Sequence, residues 1–171
     1  MSGDMKPLSL SSINALSPYE VQMAVSPSVY RFITDYEVEI LISFDSDDLL
    51  GSREAYMFNI SNINGQKSPR DIKVRNTIIS IINNFFEENE VALLYICETC
   101  DSKQAMRNRL FESWFAYANE SERFMIMVAN VHDLEDVDNY AAIILRKDNP
   151  HFVDYVTEFN RTVNLLRIKP E

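Results

Sequence analysis

The stretch Val91-Ala-Leu-Leu-Tyr-Ile-Cys97-Glu-Thr-Cys100-Asp-Ser-Lys-Gln-Ala-Met-Arg-Asn-Arg-Leu-Phe-Glu-Ser-Trp-Phe115 decides the fold. Val91 to Cys97 is apolar nearly throughout, the pattern of a central strand covered on both faces. A short polar break follows. Asp101 or Ser102 can then cap a helix, with Met106, Leu110, Trp114 and Tyr117 on one face. A helix-strand-helix order predicts at least one parallel or crossover relation around that strand.

Upstream, Tyr30, Phe32 and Thr34 alternate with Arg31, Ile33 and Asp35. Val38, Ile40, Ile42 and Phe44 then alternate with Glu37, Glu39, Leu41 and Ser43. Period two on both sides of Thr34-Asp35-Tyr36 predicts an antiparallel hairpin, with Glu37 and Glu39 turned to water. A polar loop, Asp45 to Ser52, leads to a third strand marked by Tyr56, Phe58 and Ile60, which ends at Asn64-Gly65. Ser68-Pro69-Arg70-Asp71 reads as a helix start. Val74, Ile78, Ile81, Ile82, Phe85 and Phe86 then form one wide apolar face, and Glu87-Glu-Asn-Glu90 ends it.

Downstream, Phe124–Val128 and Tyr140–Leu145 read as two strands around the acidic loop His132–Asp138. Asn149-Pro150 starts a closing helix with the stripe Phe152, Val156, Phe159, Val163 and Leu166. The order βββ-α-β-α-ββ-α defines an α+β domain, a mostly antiparallel sheet packed by three helices. Residues 21–171 are expected to form one domain, and residues 1–20, rich in Ser and Pro, a loosely held leader.

Apolar residues at 46% and charged residues at 25% are those of a globular chain, not a disordered one. Sixteen Lys and Arg against 26 Asp and Glu give a net charge of −10, which repels nucleic acid and suits a basic protein partner. No stretch is long and apolar enough to span a membrane, and no secretory signal opens the chain. With only two cysteines, a reducing cytoplasmic setting is expected.

The candidate chemistry gathers at the central unit. Cys97-Glu-Thr-Cys100 stands between a strand and a helix, where a dithiol can be redox-active, but Asp101 beside it would disfavour a thiolate. Lys67, Arg70, Lys73 and Arg75 crowd one helix start, and Lys103, Arg107 and Arg109 the other. A phosphate or carboxylate would relieve such crowding, and so would pairing with Asp71, Asp101 or the Glu87–Glu90 run. Trp114 at helical spacing reads as core. The acidic loops lack calcium-loop spacing, and His132 and His151 are too isolated for a zinc centre or a triad. No catalytic residue, metal or cofactor is therefore expected.

Tyr95-Ile-Cys97, Asp101, Gln104-Ala105, Arg107, Arg109-Leu-Phe111 and Trp114-Phe115 together resemble the signature of an uncharacterised family of small bacterial proteins, mostly from Bacteroidetes. Phe85-Phe86-Glu87 and Lys147-Asp-Asn-Pro150 fit the same pattern, and the likeness runs from about residue 28 to the C-terminus. The family pattern generally carries a Cys-Asp-Ser-Ser-Asp loop, whereas this chain has Glu98, Thr99 and Cys100 after Cys97. The resemblance implies no activity. It points to Cys97, Asp101, Gln104, Arg107, Arg109 and Trp114.

Two functions follow as expectations. One is a non-enzymatic interaction module that engages a basic partner through Glu37, Glu39, Asp47 and Asp136. An antitoxin, immunity or phage-defence accessory role would be a concrete form of it. The other is a site for a phosphate- or carboxylate-bearing ligand at Cys97, Asp101, Ser102, Lys103, Gln104, Arg107, Arg109 and Trp114.

Overall fold

The computed structural model describes residues 5–48, 50–51, 54–63, 72–98, 123–132 and 138–167; at 62, 96–98, 130–132, 138–140, 166 and 167 it describes the backbone alone. Its elements run α1 (Leu10–Leu16), β1 (Gln22–Met23), β2 (Val29–Ile33), β3 (Glu39–Asp47), β4 (Ala55–Asn62), α2 (Ile72–Glu88), β5 (Ala92–Glu98), β6 (Phe124–His132), β7 (Asp138–Arg146) and α3 (Phe152–Arg167). The protein is α+β: the strands form one sheet in the order β1-β2-β3-β4-β5-β7-β6. The expected crossover is present. β4 and β5, joined through α2, pair in parallel from Ala55↔Ala92 to Met57↔Leu94. The other pairings resolved around them, β1–β2, β2–β3, β5–β7 and β6–β7, are antiparallel.

The chain divides into two compact units, and β4 contributes to both. The first comprises residues 1–46 and 58–90. Its hairpin is the one the alternation predicts. Tyr30, Phe32, Thr34, Val38, Ile40, Ile42 and Phe44 are buried, and β2 pairs with β3 from Val29↔Ser43 to Ile33↔Glu39. Stacking of Phe44 on Phe85 of α2, with centroids 4.7 Å apart, ties sheet to helix. Phe58 at 5.5 Å and Tyr30 at 6.4 Å complete an aromatic cluster around Phe44. The apolar face read from α2 is buried at Ile78, Ile81, Ile82, Phe85 and Phe86. The Ser68–Asp71 cap lies outside the described residues.

Residues 5–20 pack into this unit. Met5, Leu8, Ile13 and Tyr19 are buried, and Ser9 caps α1 by accepting the Ser12 N–H. The apolar anchors are too few and too irregularly spaced to make a periodic signal. Their polar fastenings come from residues 22 to 83 positions away.

The second unit comprises residues 47–57 and 91–171. Its core joins Leu50, Ala55, Ala92, Leu94, Ala129, Ala141, Ile143 and Leu145 to Tyr155, Phe159 and Val163 of α3. Four alanines on one sheet face leave room for two bulky aromatics of the helix. The Tyr155 hydroxyl satisfies its buried end by donating to the Glu54 carbonyl at 2.6 Å. Asn149 opens α3 as expected, its side-chain oxygen accepting the His151 N–H at 2.8 Å. β6 and β7 form a hairpin longer than the apolar runs suggest, paired from Phe124↔Arg146 to His132↔Asp138.

Candidate functional site

Of the residues singled out at the central unit, the structure places one. Cys97 lies near the end of β5, opposite Tyr140 of β7, with Glu98 opposite Asn139. Asp101, Ser102, Lys103, Gln104, Arg107, Arg109 and Trp114 lie outside the described residues, as do Cys100 and the helix expected to carry most of them. Of the cations expected to crowd the other helix start, Lys73 is held at 2.9 Å by Asp35 and lies 5.6 Å from the Tyr19 ring centroid. Pairing with a carboxylate is thus its observed role. Lys73 in turn holds the Asp35 carboxyl below the usual carboxylate range, through its hydrogen bond first and its charge second.

The acidic candidates divide. Asp136 lies outside the described residues, and Asp47 ends β3, far along the strand from Glu39. Glu37 is not part of β3. It sits in the hairpin turn with φ +62°, a left-handed conformation that favours glycine. The turn is tight: Glu37 N–H donates to the Thr34 carbonyl at 3.0 Å and Thr34 N–H to the Val38 carbonyl at 2.9 Å. The Thr34 hydroxyl accepts the N–H groups of Tyr36 and Val38, both at 3.2 Å. With Thr34 occupied in fastening the turn, Tyr36 projects outward and is 55% exposed. Glu39 is half-buried and pairs with Arg31 at 3.5 Å.

Around Glu39 the sheet places apolar side chains that sequence reasoning passed over. Ile33 is its partner across β2–β3, and Ile63, just past β4, donates its N–H to the Glu39 carbonyl at 3.0 Å. Ile33 and Ile63 are each 49% exposed. Ile33, Glu39 and Ile63 therefore lie side by side across three neighbouring chain segments, at the end of the hairpin whose turn carries Tyr36, with Arg31 paired to Glu39. Large exposed apolar groups gathered beside charged ones have the composition of a protein-binding patch. One signal for it was available, an aromatic set in a hairpin turn between two acids. The meeting of Ile33 with Ile63 was not, because it depends on β3 lying between them.

Among the described residues, no three His, Cys, Asp or Glu side chains gather in a way that could hold a metal ion. No described helix is long and apolar enough to cross a membrane.

The α+β sheet and its helices place the chain in a structural class that supports many activities and names none. Its lineage is more definite: residues 70–161 match the model of DUF6169, a family of unknown function, and the chain belongs to that family. No match to this chain is found among curated proteins. The match takes in α2, β5, β6, β7 and most of α3, and leaves out the β2–β3 hairpin and everything before it.

Proposed function

We propose that the protein is a non-enzymatic interaction module, and that the turn end of β2–β3 is its docking surface for a basic protein partner. The observation that carries this reading is the exposure of Ile33, Tyr36 and Ile63 at this end of the hairpin, with Glu37 exposed in the turn itself. Desolvating the apolar centre would supply affinity, with Tyr36 as the natural hot spot. Glu37 in the turn and the net charge of −10 would steer a cationic surface into place and reject anionic ones. A role as an antitoxin, immunity or phage-defence accessory protein fits this chemistry, since each masks a functional surface on another protein. A cytoplasmic setting suits a chain with two cysteines.

Native mass spectrometry of the protein purified gently from its host tests the proposal. An added mass of one basic protein subunit, lost with Tyr36→Ala, is the expected result. A small added mass that survives Tyr36→Ala but disappears with Arg107→Ala or Arg109→Ala would replace this reading with the ligand site at residues 97–109.

A further inference from the structure

Three buried polar side chains of the first unit are turned on the backbone of one short segment, and a fourth on Tyr19 beyond α1. The Asn89 carboxamide grips Lys6 at two points: its oxygen accepts the Lys6 N–H at 2.8 Å, and its nitrogen donates to the Lys6 carbonyl at 3.2 Å. Such a two-point grip imitates the pairing of a β-strand. The Asn84 oxygen accepts the Ser9 N–H at 2.8 Å, and the Tyr30 hydroxyl accepts the Leu8 N–H at 3.0 Å. Further along α2, the Thr77 hydroxyl lies 3.4 Å from the Tyr19 N–H. All four of these side chains are more than nine-tenths buried. Every one of these contacts reads main chain, so none depends on the identity of the side chain bound. Selectivity falls to two buried anchors, Met5 and Leu8, spaced three residues apart.

We infer that Tyr30, Asn84 and Asn89 form a peptide seat, and that residues 5–9 fill it in cis as a displaceable strap. The occupant the seat accepts in trans is an extended peptide with aliphatic side chains three residues apart. Any such peptide satisfies the same donors and acceptors, because the grip is on amides and carbonyls. The strap's hold is also local: two anchors and four backbone hydrogen bonds, a small share of the unit's burial, which allows it to open while α2 stays folded.

The test begins with hydrogen exchange on the full chain. The amides of Lys6, Leu8 and Ser9 are expected to exchange at least tenfold faster than those of Ile81 and Ile82. Next, the full-length Leu8→Asp variant, whose strap has lost an anchor, is titrated with a synthetic peptide of residues 2–12. Its melting temperature is expected to rise saturably toward that of the unsubstituted protein, and the same peptide carrying the Leu8→Asp change is expected to do nothing. Exchange of Lys6, Leu8 and Ser9 in step with Ile81 and Ile82 would overturn the inference, as would a folded Leu8→Asp variant indifferent to the peptide. Should Leu8→Asp fail to fold, the exchange comparison decides alone.

Discussion

The hydroxyl of Tyr30 accepts the Leu8 N–H at 3.0 Å while donating to the Pro27 carbonyl at 2.6 Å. One fully buried oxygen thus joins the N-terminal segment to the approach to β2. Tyr30→Phe keeps the ring beside Phe44 and removes only this link. It leaves a buried N–H without its acceptor, which costs about 1–3 kcal/mol. Urea unfolding of the variant measures that loss directly.

The same hydroxyl predicts an alkaline limit. Burial pushes the Tyr30 phenol above its ordinary value of 10.0, outweighing the opposing pull of the Leu8 N–H. A phenol whose pKa rises on folding stabilises the fold while protonated. That contribution is complete below the unfolded value and is lost as pH rises from there through the folded one. Unfolding midpoints followed from pH 8 to pH 11 are expected to fall above about pH 10, and to fall less steeply in Tyr30→Phe.

Two left-handed residues make an opposed pair. Glu37 holds φ +62° with a side chain, and Gly51 holds φ +67° without one. Glu37→Gly is expected to raise stability by about 0.5–1 kcal/mol, less whatever the glutamate's own contacts contribute. Gly51→Ala is expected to lower it by about 1 kcal/mol through backbone conformation alone. The added Cβ meets nothing closer than the Glu158 Oε2 at 3.8 Å. Thermal unfolding of the two variants checks both signs.

Phe85 is completely buried and stacks on Phe44. Phe85→Ala opens a cavity at the point where α2 meets the hairpin, and is expected to cost about 3–5 kcal/mol. Phe85→Leu, which refills most of the volume, should recover much of this. A denaturant midpoint that barely moves in Phe85→Ala would mean that α2 is not held through this ring.

What the sequence could reveal followed periodicity. Tyr30 to Phe44 alternates and folded as a hairpin; Ile78 to Phe86 repeats at helical spacing and buried that face. The crossover from β4 to β5 was implied by a helix between two apolar runs. Structure fastened by single polar contacts left no such trace. Nothing near Lys6 announces Asn89, because a carboxamide that grips a backbone amide imposes no pattern on the residue it grips. The candidate patch was half visible. Glu37 and Glu39 were evident as acids, but Glu39 is tied to Arg31, and the exposed neighbours Ile33 and Ile63 read as ordinary strand residues. Only the pairing of β2 with β3, and Ile63 against Glu39, brings them together.

The central claim is that the turn end of β2–β3 binds a basic partner. Once that partner is purified, its affinity should be measured by titration calorimetry for the unsubstituted protein and for Tyr36→Ala, at low and at high salt. Tyr36 is 55% exposed, so the variant's own stability should stay within about 0.5 kcal/mol. The account predicts at least a tenfold loss of affinity in Tyr36→Ala, and weaker binding by both proteins at high salt. Unchanged affinity in a folded Tyr36→Ala variant, with no response to salt, would contradict it.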